Sequence, residues 1–280
     1  MRAGPLSDSK VIDLLNRYFV PVTMPNEAAD PSGERGRIRG EFAEKKLGLG
    51  DVHVYVIGPD RAAIAGMDIG SALDTGKQTA FLTGMVDRLH VAPGPPVFAP
   101  HPQAAAPEVE PGAPAIHLFS RKLIPERTWN EFPSENWIVL SRQEWEQVLP
   151  PAGTALHAAW QIPQPVAVKL AQWVYPQTEE THQENRSRVN LADFRMTLVE
   201  VQGPLGRARI DGKVQLTHSF YPGRPSNDTA ASELVGFADF DLTARQVRRF
   251  RMVTRKAQYQ DTPFGCALVS VSRETIDSQR

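Results

Sequence analysis

DVHVYVIGPDRAAIAGMD, residues 51–68, decides how the first third of the chain is read. Successive strand side chains point to opposite faces. Val52, Val54 and Val56 therefore fall on one face, and His53, Tyr55 and Ile57 on the other. Both faces are largely apolar, the pattern of a strand covered on both sides. Gly58-Pro59-Asp60 is a turn signal, and Arg61 to Met67 returns as a second strand.

Upstream, Ser7 and Asp8 stand just before Val11, Ile12, Leu14 and Leu15. A short polar side chain there caps the first orphan amides of a helix, and the spacing that follows fits one helical face. This helix is expected to end near Tyr18. Phe19 to Met24 reads as a short strand, although Pro21 removes one ladder donor from it. Pro25 to Gly33 is a polar loop. Glu34 to Leu47 is a charged helix with Ile38 and Phe42 facing inward, stopped by Gly48-Leu49-Gly50. Downstream, Phe81, Leu82, Met85, Val86 and Leu89 give Thr75 to Leu89 a helical period.

This order of elements, carried by SDSKVIDLLNRYFVPVTM (7–24), a helix, and VHVYVIGPDRAAIAGMD (52–68), resembles the thioredoxin-like superfamily after its active site. The resemblance covers about residues 1–90. Two hallmarks of that superfamily are absent from the chain. Cys266 is its single cysteine, so no Cys-x-x-Cys exists; the cis-proline before the third strand would fall near Asp51 or Val52, and neither is proline. The family's first strand and active-site turn would lie upstream of Met1. The resemblance thus implies a redox-inactive, degenerate member. The alternative is a thiol–disulfide oxidoreductase whose Cys-x-x-Cys segment is missing from this chain.

The composition narrows the classes. The 280 residues carry 31 basic and 32 acidic side chains, a balance that argues against a global binder of nucleic acid or anionic membrane. One cysteine excludes an internal disulfide framework and any cysteine-rich metal site. No apolar run is long enough for a transmembrane helix, and MRAGPLSDSK lacks the apolar stretch of a signal peptide. A soluble protein is expected; if a segment preceded Met1, an extracytoplasmic location would enter as an alternative.

Val91 to Pro114 holds eight prolines and reads as an extended linker. Beyond it, Ala115 to Leu123 alternates as a strand, and Trp137 to Leu140 is a short buried one. Ser141-Arg142-Gln143-Glu144 is a capping box that opens a helix, and Pro163 to Trp173 is another. Trp129, Trp137, Trp145 and Trp160 cluster in sequence and read as an aromatic core between helices and sheet, with an aromatic-ligand groove as the sharper alternative. From Leu191 the period changes to two. Arg207 to Tyr221 puts Ile210, Val214, Leu216, His218 and Phe220 on one face. Leu234–Phe240, Gln246–Thr254 and Phe264–Val271 continue an antiparallel meander, a curved sheet or partly closed barrel.

Candidate ligand-binding residues are few. His218 lies on the apolar face of the longest strand, first as a hydrogen-bonded core residue and second as a polar group in a cavity. Arg249, Arg251 and Arg255 share one strand face; they read as a solvated face paired with neighbouring carboxylates, or as a site for an anion or acidic surface. Cys266, in FGCALVSV, reads as a small buried hydrophobe, and a Cys266–His218 nucleophile needs the two to meet. Glu179, Glu180 and His182 in TEETH read as a solvated loop rather than metal ligands. No catalytic constellation, cofactor motif or metal site is expected.

The reading that results is an α+β protein: a thioredoxin-like unit over 1–90, a linker over 91–114, and a helix-containing antiparallel sheet region over 115–280. Its expected function is non-enzymatic binding or assembly, with a protein or small-molecule partner and no nucleic acid. Limited proteolysis of the native chain is expected to cut first within Val91 to Pro114. First cleavage inside Arg207 to Tyr221 would sink the division at 91–114.

Overall fold

The computed structural model describes residues 4–22, 33–47, 54–97, 107–125, 130, 132–177, 187–218 and 228–272. These residues form an α+β protein dominated by antiparallel sheet. They divide into two compact units, one holding the described residues up to 97 together with 130 and 132, and the other 107–125, 133–177, 187–218 and 228–272.

The first unit opens on a single tight turn and α1 (Ser9–Tyr18), whose first amides at Lys10 and Val11 donate to Asp8 Oδ1, each at 3.0 Å. The cap is thus Asp8 rather than Ser7. The strand expected over Phe19 to Met24 is absent across 19–22. Val20 and Val22 point into solvent and Pro21 offers no amide, so that segment has no ladder, although Phe19 packs partly buried against Val56, Ala65 and Met85. α2 (Glu34–Glu44) follows, then the antiparallel hairpin of β1 (Val54–Ile57) and β2 (Ala63–Met67). As the alternation in Val54 to Ile57 implies, the hairpin is covered on both sides. Tyr55 and Ile57 pack with Ile38 and Phe42 of α2. Val56 and Ala65 pack with Met85 and Phe81 of α4 (Thr75–Leu89), which is capped by Asp74. Between them lies a one-turn helix, α3 (Ile69–Ala72), which has no sequence periodicity to announce it. Gly66 sits where a Cβ would collide with the Leu47 carbonyl and the Phe42 ring, so the close approach of α2 to β2 requires it.

The second unit is built on one sheet. Its strands are β3 (Ala115–Lys122), β4 (Ser134–Val139), β5 (Ala159–Gln161), β6 (Arg188–Gln202), β7 (Leu205–His218), β8 (Asp228–Asp241), β9 (Gln246–Tyr259) and β10 (Thr262–Val271). They pair in the order β4-β3-β10-β9-β8-β7-β6-β5, all antiparallel. β6 to β10 are therefore a meander, and β3–β4 adds beside its last strand. Among the described residues β4 and β5 do not pair with each other, so the sheet is open rather than a partly closed barrel. Two strands run further than their apolar alternation: Leu234–Phe240 lengthens to β8 and Gln246–Thr254 to β9.

Two short helices cover one face. α5 (Arg142–Glu146) opens on the capping box read from sequence: Glu144 N donates to Ser141 Oγ at 3.2 Å and Ser141 N to Glu144 Oε2 at 2.8 Å. α6 (Gln164–Ala171) contributes Val166, Leu170 and Ala171. These meet Phe194, Ile210, Leu234, Phe250 and Leu268 from five successive strands in one core. Trp145 belongs to that core and Trp160 packs at its margin. Trp137 does not: it lies on the opposite face of β4, because its neighbour Ile138 takes the inward position. Trp129 lies outside the described residues.

Gly236 stands between inward Leu234 and Ala238, and a Cβ there would collide with the Arg251 carbonyl and the Met252 side chain. Backbone cannot yield as a flexible side chain does. Gly236→Ala is expected to destabilise the protein by about 1–3 kcal/mol, measured by chemical denaturation. An unchanged midpoint would show that β8 and β9 do not approach this closely.

Candidate functional site

His218 ends β7 on the inner face and is 2% exposed. Its ring stacks on Tyr175 at 4.5 Å between centroids, with Nδ1 3.1 Å from Ser187 Oγ. Tyr259 lies beyond, and the buried Lys122 places Nζ 5.5 Å from the Tyr259 ring centre. This is a hydrogen-bonded core histidine, the first of its two readings. Phe220, on the same expected face, lies outside the described residues, as do Glu179, Glu180 and His182. Cys266 sits on β10, with β8 and β9 between its strand and that of His218. Burial pushes the Cys266 thiol well above its ordinary range, so it is held protonated and is a poor nucleophile.

The three arginines sit together on the other face. Strand alternation sends Val247, Phe250 and Met252 inward and leaves Arg249, Arg251, Val253 and Arg255 outward. Cross-strand register then decides their neighbours. One row across the sheet runs Arg209, Phe237, Arg251, Val269, His117, Trp137. The next runs Asp211, Val235, Val253, Ala267, Phe119, Glu135. The face therefore has two halves. Over β6 and β7 it is mostly charged, over β10, β3 and β4 it is mostly apolar and aromatic, and β8 and β9 mix the two, with Phe237, Val235 and Val253 among Glu233, Asp239, Arg249, Arg251 and Arg255. Phe237, Val253 and Val269 are 41%, 50% and 41% exposed, so over β8 to β10 this face carries neighbouring apolar side chains open to solvent, next to half-buried Phe119 and Trp137 and to His117, which is covered.

Charges on the face are unevenly matched. Asp239 takes Arg207 at 2.6 Å, and Asp211 takes Arg209 at 2.8 Å. Glu233 takes Lys256 at 3.3 Å and Arg255 at 3.7 Å. Arg255 thus follows its solvated, paired reading. The guanidinium groups of Arg249, Arg251 and Arg195 have no ion-pair partner among the described residues, although Asp239 stands opposite Arg249 in register. Exposed pairs of this kind contribute little stability, about 0–1 kcal/mol each. Their consequence is to engage Asp239, Asp211 and Glu233, the carboxylates nearest β9, and to leave Arg249 and Arg251 without one among the described residues.

Sequence reading missed the aromatic end of this face. His117 stacks on Trp137 at 4.1 Å with planes 6° apart and tilts against Phe119 at 4.0 Å. Its Nε2 lies 2.9 Å from Glu135 Oε2. The Trp137 indole N–H is buried without an acceptor among the described residues. No local motif signals this group, because register on three strands assembles it. Burial lowers the His117 pKa, and the Glu135 carboxylate offsets only part of that. A groove beside α5 is a weaker candidate, since its polar groups serve the fold: Trp145 Nε1 donates to Pro114 O and Gln246 Nε2 to Gly112 O.

Among the described residues, no three His, Cys, Asp or Glu side chains converge as metal ligands, and no helix is long and apolar enough to cross a membrane. Compared with known proteins, the chain matches no family model, no curated protein and no solved structure.

The His117 shift has a defined sign. In the unfolded chain the ring takes up a proton near pH 6.5, about its ordinary value; in the folded chain it does so only at lower pH. The unfolded state therefore binds more protons in that window. The stability linked to His117 is fully present above the ordinary imidazole range and is lost as pH falls through the folded pKa. An NMR titration of the ring is expected to show a midpoint below about 6.5, lower still in Glu135→Gln. A midpoint above the ordinary value would show that the carboxylate outweighs burial.

Proposed function

We propose that this chain is a non-enzymatic binding or assembly protein. In this reading a redox-inactive, thioredoxin-like unit is joined in sequence to a sheet unit that docks a protein partner on its open face. The observation that carries the reading is the solvent-open strip of Phe237, Val253 and Val269 beside Phe119 and Trp137. Apolar area left in water forgoes roughly 25 cal/mol per Å², and contiguous apolar surface on a folded protein marks an interaction site. Thiol chemistry has no support in this chain. Thiol–disulfide exchange by a dithiol needs an attacking thiolate and a second, resolving thiol; the single cysteine is buried and protonated.

Two measurements test the reading. Insulin reduction with dithiothreitol as electron donor is expected to run at the dithiothreitol background; a higher rate that Cys266→Ser abolishes would overturn the redox-inactive assignment. The native chain is expected to bind the apolar dye bis-ANS, and Val253→Glu to lower the signal severalfold with an unchanged thermal midpoint. Dye binding indifferent to Val253→Glu would show that this strip is not an available docking surface.

A further inference from the structure

We infer that the partner of the open face is a protein segment that carries carboxylates beside apolar side chains, and that Arg249 and Arg251 select it. This inference rests on the docking role proposed for the face. Two independent features lead to it. The first is the apolar strip, in which Val253 and Val269 lie next to Arg251: one follows it by two residues on β9, and the other is its register partner on β10. The second is the charge surplus. Asp211, Asp239, Glu233 and Glu135 are each already held by a cation or by His117, whereas Arg249 and Arg251 have no ion-pair partner among the described residues. An arriving carboxylate therefore meets guanidinium groups with their donors unused, and need not displace an internal partner. A guanidinium also matches a carboxylate with two parallel N–H donors, which fixes orientation as well as sign.

A basic partner would meet the same arginines with like charge, and a neutral apolar one would leave them unpaired at the rim. Both outcomes are disfavoured, because complementary potential sets specificity and association rate more than buried area does. The chain as a whole carries a formal charge of −1, so the preference belongs to this face and not to the net charge. A second copy of the chain is a less suitable occupant, since Asp211, Asp239, Glu233 and Glu135 of its own face are already engaged.

The test uses the full chain and three short amphipathic peptides with the same apolar residues and with Glu, Gln or Lys at the remaining positions. Fluorescence anisotropy is expected to show the Glu peptide binding about tenfold more tightly than the Gln peptide, and the Lys peptide more weakly still. The Glu advantage is expected to shrink with added salt and to vanish in Arg249→Gln/Arg251→Gln. Val253→Ser is expected to weaken all three, so it separates the apolar contribution from the charged one. Both variants change exposed side chains, and circular dichroism checks that they remain folded. Equal binding of the three peptides would keep the docking face and overturn the acidic partner. No binding of any would overturn both. Concentration-dependent dimerisation that Val253→Glu abolishes would assign the face to a second copy and overturn this inference alone.

Discussion

Five strands from β6 to β10 follow one another and send alternate side chains into one dry layer against α5 and α6. Phe194, Ile210, Leu234, Phe250 and Leu268 are each at most 1% exposed there. Burying a side chain of this size stabilises by roughly 1.5–3 kcal/mol, so together they dominate the choice of register. A slip of one residue on β9 would exchange Phe250 for Arg249 or Arg251 and carry a guanidinium into the core, at a cost of several kcal/mol. Fixing the inner face therefore fixes the outer one. The open surface is not assembled separately; it is what alternation leaves over.

Strict alternation would fail over strands this long, and bulges restore it. β9 shifts register against β8 between Glu233 and Ala231, where Lys256 adopts φ +48°. Without that extra residue, Ala257 and Tyr259 would point outward; with it they return to the core. A second bulge, near Arg248, lets Val247 and Phe250 both point inward while Arg249 stays outside. At the β4 edge, the Trp137 amide donates to the Asn136 side chain at 2.8 Å, so one edge amide is blocked from recruiting another strand. The sheet thus keeps its face open while part of its edge is closed.

These same features explain what the sequence disclosed. β7 is a clean two-residue period, and its inward set from Ile210 to His218 was legible at once. β9 lost its period at Arg255-Lys256, so its second half could not be read as strand, although it is one. The start of β8 is Thr229-Ala230-Ala231-Ser232, side chains too small or polar to signal burial, yet Ala230 and Ser232 are buried. The expected strand over Phe19 to Met24 failed in the opposite way. Its apolar residues matched a strand, but Pro21 and the exposure of Val20 and Val22 outweighed composition. Helix starts at Asp8 and Ser141 were legible, because such caps act through nearest neighbours alone, whereas α2 and α6 stop short of the expected Leu47 and Trp173, at Glu44 and Ala171.

The candidate face shows the same limit at a larger scale. Arg249, Arg251 and Arg255 are local in sequence, so their shared direction followed from period two on a single strand. The apolar strip beside them draws one or two residues from each of five strands, and every one of those residues looks, in its own segment, like ordinary strand filling. Val253 and Phe250 have the same sequence signature; only the covering helices decide that one is dry and the other wet. Trp137 was read as core for that reason, since no local rule tells an aromatic side chain which side of a sheet will be roofed. Ion pairs crowd β7 and β8, apolar side chains occupy β10, β3 and β4, and Arg249 and Arg251, without an ion-pair partner among the described residues, stand on β9 where the two halves meet. A face serving only solubility would have no need of that border. Under the proposed docking role, a matching partner would bring apolar area to one side and negative charge to the other, and this pairing, more than either half alone, would make the surface selective.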